Sequence, residues 1–342
     1  MNTADAHAFG VGTSSFCGAS AMEDVEIRPA RRGEASRAAE MLARLQPAPG
    51  TSDAAGGLIH PRPDNQILAV RGGEIVGSCL LVPGAGRCAM ILVPRLAPMA
   101  LAPTGLARWD EQVAARLLRA AAARAYVTHD TRLIQALAEP EAESPVTGAL
   151  KRAGFAPLAV LAYLRRPVGQ EERREEAPTR LTWKRYSRWR HRTFAQIIEQ
   201  TYKGSHDCPG LAGLRTVDDV IRTHKATGTF RPSAWHLAIA DRNPVGIVLV
   251  NPLGGRGELV YLGVVPEARG KGLGRALLAR AIADTARMGL PVLGLAVDVE
   301  NEPAMRLYAG AGFKEIRRRM TWFMPKERLE ELRDITGRRP AG

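Results

Sequence analysis

Leu259-Val260-Tyr261-Leu262-Gly263-Val264-Val265-Pro266-Glu267-Ala268-Arg269-Gly270-Lys271-Gly272-Leu273-Gly274-Arg275-Ala276-Leu277-Leu278 runs from an apolar β-type strand through a glycine loop into an apolar helix. Glycines at 270, 272 and 274 let backbone N–H groups approach a ligand closely. The helix start adds its positive dipole, and Arg269, Lys271 and Arg275 add charge, which together make a cradle for a pyrophosphate. The bland alternative is a turn that merely joins strand to helix. Two other phosphate-binding patterns fail here. A P-loop needs Lys and then Ser or Thr after its first glycines, but Gly274 is followed by Arg275-Ala276; a dinucleotide fingerprint needs a third glycine where Leu277 stands.

A second stretch lies downstream, Asn301-Glu302-Pro303-Ala304-Met305-Arg306-Leu307-Tyr308-Ala309-Gly310-Ala311-Gly312-Phe313. Ala304 and Tyr308 are four apart and share a helix face, and Gly312 ends that helix before Phe313 opens a strand. The pair of patterns, R-x-x-G-x-G at Arg269, Gly272 and Gly274 after a V-x-P strand end, and N-x-x-A-x-x-L-Y-x-x-x-G-F, resembles the two signatures of the GNAT superfamily of N-acetyltransferases. The resemblance covers about residues 181–325. Within it, 257–278 and 301–308 look most like the mycothiol synthases, a type built from a tandem pair of such domains.

The resemblance implies acetyl-CoA as acyl donor, held along Leu262, Gly263 and Val264, by the loop Arg269, Gly270, Lys271, Gly272, Leu273, Gly274 and Arg275, and beside Asn301 and Ala304. It places Tyr308 next to the CoA sulfur, where a phenol of pKa ~10 is protonated at neutral pH and can act as the acid. A core tyrosine is the alternative, and Asn301 can equally be only a helix N-cap. Glu258 matches a glutamate of mycothiol synthase-like enzymes, eight residues before Pro266, and is the candidate base for the acceptor ammonium. The adjacent His206-Asp207-Cys208 is a poor nucleophile pair, because neighbouring residues rarely point at each other and the superfamily transfers directly. The loop 202–213 around it is expected to border the acceptor.

The order of elements recurs along the chain. In the first part, Val25–Pro29 reads as a strand, Ala35–Leu45 as a helix, Ile67–Val70 and Ile75–Val82 as a hairpin about Gly72-Gly73, Ala89–Val93 as a strand and Trp109–Ala125 as a helix. The expected fold is α/β, tandem GNAT-like domains, each a mixed central sheet flanked by helices. Residues 1–23 read as a disordered leader, 24–168 as a degenerate GNAT-like domain, 169–180 as a linker, 181–325 as the catalytic domain and 326–342 as a C-terminal tail. Degeneracy follows from aligning Leu117-Leu118 with Leu277-Leu278. Trp109-Asp110-Glu111-Gln112 then face Arg269 onward, carboxylates standing where phosphates would sit, and Leu150 takes the place of Tyr308.

The chain has 342 residues, 48 Lys plus Arg and 35 Asp plus Glu, for a formal charge of +13, and 45% hydrophobic residues. That length suggests two domains, and the composition excludes a wholly disordered or collagen-like chain. No run of about 18 apolar residues offers a membrane span, and a cytoplasmic location is expected. Cys17, Cys79, Cys88 and Cys208 show neither zinc spacing nor a disulfide framework, so no metal is expected. The positive charge suits anionic partners; little beyond it points to nucleic acid. The acceptor is expected to be a small-molecule amine or a peptide N-terminus, and oligomeric state has no signature. Two alternatives to general N-acetylation stay open, a mycothiol synthase acting on a cysteinyl aminothiol and a non-catalytic CoA-sensing or RNA-associated module.

Overall fold

Tight turns and short β-type runs build two ladders in the computed structural model, which describes residues 25–44, 62–96, 110–140, 144–173, 181–204, 211 and 213–336. The expected leader, the loop 47–57 and His206-Asp207-Cys208 lie outside the described residues. In the first half, β1 (Glu26–Pro29) and α1 (Ala35–Arg44) precede β2 (Gln66–Arg71), β3 (Glu74–Gly84), β4 (Cys88–Leu96), α2 (Glu111–His129), β5 (Leu133–Ala138), α3 (Pro145–Ala153) and β6 (Ala156–Pro167). The second half holds β7 (Thr182–Arg185), α4 (His191–Tyr202), α5 (Val217–Ala226), β8 (Trp235–Ala240), β9 (Asn243–Leu253), β10 (Arg256–Val264), α6 (Leu273–Arg287), β11 (Val292–Asp298), α7 (Glu302–Gly310) and β12 (Lys314–Phe323). A last helix, α8 (Lys326–Thr336), follows.

The hairpins turn where two successive residues take the left-handed conformation that matches strand twist. Gly72 and Gly73 do so at φ +55° and +83° between β2 and β3, and Asp241 and Arg242 at +48° and +67° between β8 and β9. All strands join one mixed sheet in the order β1-β2-β3-β4-β5-β12-β6-β11-β10-β9-β8-β7. The halves therefore exchange their last strands. β12 pairs antiparallel with β5 and β6, and β6 pairs antiparallel with β11 from Val292↔Pro167 to Asp298↔Leu161.

The exchange reaches the cores. Leu117 and Leu118 of α2, both fully buried, pack with Trp322, Met324 and Leu329 from the end of the chain. Leu277 and Leu278 of α6 pack with Ala162, Leu164 and Val168 from the end of the first half. A third cluster, under α4 and α5, is built on Phe194, Ile198 and Trp235.

Two stretches carry more structure than their polar composition predicts. Residues 165–167 complete β6, Val168 is buried, and 170–173, within the segment read as linker, form a 3-10 turn held where Glu172 accepts from the Arg166 guanidinium at 3.1 and 2.5 Å. Arg173 Nε also donates to the Ala286 carbonyl at 3.2 Å. The expected tail contains α8, because Leu329 and Leu332 form an apolar face that α2 covers.

Candidate active site

β10 and β11 run parallel but are hydrogen-bonded neighbours only at Gly257↔Leu293 and Glu258↔Gly294. Beyond that rung β10 stays with β9, with a bulge between Leu259 and Tyr261, while β11 stays with β6. Successive strand residues point their N–H and C=O to alternate sides, so half the amides of the free stretch face the wedge between the two strands. The wedge, α6 and α7 enclose a cleft of about 980 Å³. Leu262, Gly263, Val264, Arg269, Gly270, Gly272, Leu273, Gly274, Arg275, Asn301, Ala304 and Tyr308 line it; Lys271 and Glu258 do not.

The glycine loop bends at 270 and 272, where φ is +75° and +78°, conformations that L side chains rarely adopt. A Cβ at either position would meet no atom within 4 Å, so the loop presents bare backbone to open space. Gly272 caps α6, whose first amides have no intrahelical partner. The expectation that Arg269 and Lys271 aim charge at a phosphate is not what the side chains do. The Arg269 guanidinium donates to the carbonyls of Thr201 (2.9 Å), Lys203 (2.8 Å), Gly204 (2.8 Å) and Val264 (3.2 Å), and so clamps the loop to the C-terminal end of α4. Carbonyls at a helix C-terminus lack partners of their own and attract a cation. Lys271 Nζ folds back onto the Glu267 carbonyl at 2.8 Å.

Asn301 caps α7: its Oδ1 accepts from the Ala304 amide at 3.2 Å, and Pro303 stands in the first turn where its missing N–H costs nothing. One face of α7 thus turns Ala304, Leu307 and Tyr308 to the cleft. Tyr308 is 7% exposed, with its ring 5.7 Å from that of Phe313.

Glu258 sits apart from that cleft, in a smaller cavity of about 230 Å³. Its Oε2 accepts from Arg256 Nε at 3.2 Å, and a Cβ at Gly294 would lie 3.1 Å from the same oxygen, so the carboxylate lies over bare backbone of β11. Leu295 lines both spaces. The smaller cavity also draws on Met90, Gln135 and Leu137 from β4 and β5, Tyr163 and Arg165 from β6, and Arg317 and Thr321 from β12. Burial pushes the Tyr163 phenol up, an effect that Arg317 and Arg319 oppose. None of these residues carries a sequence signal, because they converge only through the strand exchange. Among the described residues no group of three or more His, Cys, Asp or Glu could hold a metal ion, and no helix is long and apolar enough to cross a membrane.

At the matching place in the first half, Asp110 caps α2, its Oδ1 accepting from the amides of Gln112 (3.0 Å) and Val113 (3.1 Å). The carboxylate thus occupies the amides that α6 leaves open. Glu111 binds Arg152 Nε at 3.0 Å and lies against α3, where a Cβ at Gly148 would come within 2.8 Å of its carboxylate. Leu150, opposite Tyr308 in the alignment, is fully buried.

Residues 178–313 match the acetyltransferase (GNAT) family. A mycothiol acetyltransferase of Thermomonospora curvata is 30% identical over 175 residues, covering 50% of this chain and 57% of that protein. Another, from Frankia alni, is 30% identical over 206 residues, covering 54% and 61%. The chain therefore spans little more than half the length of these curated relatives. The crystal structure of a GCN5-related N-acetyltransferase from Sphaerobacter thermophilus superposes with a TM-score of 0.56 at 17% identity, over 88% of this chain and 95% of that one, which shows a shared fold. Residues 178–313 thus resemble the acetyltransferase (GNAT) family, and the chain as a whole shares the α/β fold of the Sphaerobacter thermophilus protein.

Proposed function

We propose that the protein transfers an acetyl group from acetyl-CoA to a primary amine by direct attack within a ternary complex. The observation that carries this reading is the wedge between β10 and β11 with a bare-backbone cradle at its mouth. A donor with a pyrophosphate and an amide-containing arm fits those two features, and the amides of Gly270 to Gly274 with the dipole of α6 would hold its phosphates. The free edge of β10 would hold its arm as an added strand, and a backbone N–H over Leu262–Val264 would polarise the thioester carbonyl. Arg269 supports the cradle through α4.

Acetyl-CoA supplies an activated acyl group. Glu258 takes a proton from the acceptor ammonium, directly or through water, and frees the nitrogen lone pair. A C–N bond forms at the acyl carbon, the C–S bond breaks with its electron pair on sulfur, the Tyr308 hydroxyl supplies the proton that yields the thiol, and the second proton of the attacking nitrogen leaves through solvent, which restores the phenol and gives a neutral amide. Tyr308 is in the donor cleft and Glu258 in the adjoining cavity, which supports an arrangement of donor and acceptor on two sides of the Glu258–Gly294 rung. A second reading, in which the acceptor is the cysteinyl amine of a mycothiol precursor, is favoured by the curated relatives named mycothiol acetyltransferase. The first half is read as a degenerate copy that shapes the acceptor side.

Thioester turnover with Tyr308→Phe tests the assignment. Acetyl-CoA affinity is expected to stay within a few fold while kcat falls by roughly 10²–10⁴, the usual worth of a positioned acid. Unchanged kcat with chemistry rate-limiting would make Tyr308 a packing residue.

A further inference from the structure

Thr201 stands in the last turn of α4, 3% exposed, and touches three parts of the candidate site at once. Its hydroxyl donates to the Ile198 carbonyl, one turn back, at 2.7 Å. With that proton spent, the 2.7 Å contact between Thr201 Oγ1 and the Tyr261 hydroxyl is one in which Tyr261 donates. Tyr202, edge-on at 5.8 Å, and His224 at 5.4 Å hold the same tyrosine ring. The Thr201 carbonyl takes Arg269 Nη2 at 2.9 Å, which ties this residue to the glycine loop.

Gly263 supplies the third contact. It does not take the left-handed conformation, so its missing side chain serves close approach rather than a turn. A Cβ there would lie 2.8 Å from both Cβ and Oγ1 of Thr201 and 3.0 Å from its Cγ2, too close for packed atoms. The threonine therefore rests directly on the β10 backbone in the middle of Leu262–Val264. That stretch is laddered to β9 on one side, from Leu262↔Val248 to Val264↔Gly246, and has no ladder to β11 on the other. Contact with α4 is a restraint that replaces part of what the absent ladder would give.

From these contacts we infer that Thr201 is a positioning residue, which fixes the separation between the glycine loop and the β10 amides. The inference rests on the transferase reading above, in which the loop takes the donor's phosphates and the amides polarise its thioester carbonyl. A donor gripped at both ends is placed correctly only while the two grips keep their spacing, and an error of about 1 Å at the reacting carbonyl costs roughly 10²-fold in rate. Thr201 acts on the carbonyl through Gly263 and on the phosphates through Arg269.

Three variants test it. Thr201→Val keeps the shape and loses the hydroxyl, Thr201→Ser keeps the hydroxyl and loses the methyl that faces Gly263, and Gly263→Ala inserts the atom that Thr201 excludes. In Thr201→Val and Gly263→Ala kcat should fall by about ten- to a hundredfold while CoA affinity, read by calorimetry, stays within a few fold, and Thr201→Ser should retain most of the parent's kcat. The infrared carbonyl stretch of bound, carbonyl-labelled acetyl-CoA gives a second readout that needs no acceptor. Binding to the parent should lower its frequency below that of free acetyl-CoA, and Thr201→Val and Gly263→Ala should give back part of that shift. Should Gly263→Ala fail to fold, the two Thr201 variants decide. A lowered Tm with kcat and carbonyl frequency unchanged would make Thr201 a packing residue and overturn the inference. So would a loss of CoA affinity that accounts for the whole loss of rate, or a parent that leaves the carbonyl frequency where it is in water. A Thr201-dependent carbonyl shift in a protein that acetylates no amine keeps the positioning role and sinks the transferase reading, whereas failure to bind acetyl-CoA at all overturns both.

Discussion

Single residues show how burial and charge compete in this protein. His224, on α5, is half-buried beside the Tyr261 ring and near Arg215, and burial first, with that cation second, pushes its pKa down from 6.5 to about 4. Its Nε2 is buried without a hydrogen-bond partner among the described residues. Between pH 6.5 and about 4 the unfolded chain binds a proton at this position and the fold does not, so stability rises with pH and is lost as pH falls through that window. At about 1.4 kcal/mol per pH unit the full effect is of order 3 kcal/mol. Urea unfolding of His224→Gln should therefore lose stability less steeply than the parent between pH 6.5 and 4. Parallel curves would show that His224 titrates alike in both states. Glu258 poses a different question. If it takes the acceptor proton, Glu258→Gln should depress turnover most at low pH and recover partly as pH rises, since more amine then arrives neutral. A uniform loss with raised acceptor KM and normal kcat would make it an ammonium binder instead.

At the scale of elements, α2 and α6 start from related positions and end in different states. Asp110 fills the α2 amides, whereas Gly272 leaves those of α6 open. Asp110→Ala is expected to cost about 1 kcal/mol of stability, the usual worth of an N-cap, and to leave acetyl-CoA affinity unchanged. A changed affinity would mean that the first half also holds donor. Much of this contrast was legible in the chain, because cradle and caps are local: the glycines at 270, 272 and 274 mark the start of α6, and the stretch from Asn301 to Phe313 marks α7. The hairpin turn at Gly72-Gly73 was legible for the same reason. β5, β6 and α8 were not read as elements. Leu133–Ala138 is a short apolar run, and Ala156–Pro167 ends in Arg-Arg-Pro, which looks like a spacer until β11 and β12 cover it from both sides. The roles drawn for Arg269 and Lys271 from charge alone missed the α4 carbonyls, which only the folded chain brings near.

For the whole molecule, the exchange of β6 and β12 ties the halves into one sheet and sends side chains of each into the core of the other. Residues 25–173 without β12 and α8 would expose Leu117 and Leu118, and residues 181–336 without β6 would expose Leu293 and Leu295. Either fragment produced separately should lack a cooperative unfolding transition, and the two refolded together should form a one-to-one complex that recovers donor binding. A fragment 181–342 that folds and binds acetyl-CoA unaided would show the halves to be independent. The exchange also explains why the small cavity escaped a reading in chain order: Glu258, Tyr163 and Arg317 come from β10, β6 and β12, which are neighbours in space only after the strands cross over.

The central claim is that acetyl-CoA is held by the second half of the chain, in the wedge of β10 and β11 and on the bare amides at the start of α6. Calorimetric titration of acetyl-CoA into the intact protein and into Gly272→Asp tests it most directly. The account predicts one site per chain in the parent, and its loss in the variant, where a side chain and a like charge fill the open space at the cradle. Two sites of similar affinity, or binding that survives the substitution in a folded variant, would contradict it.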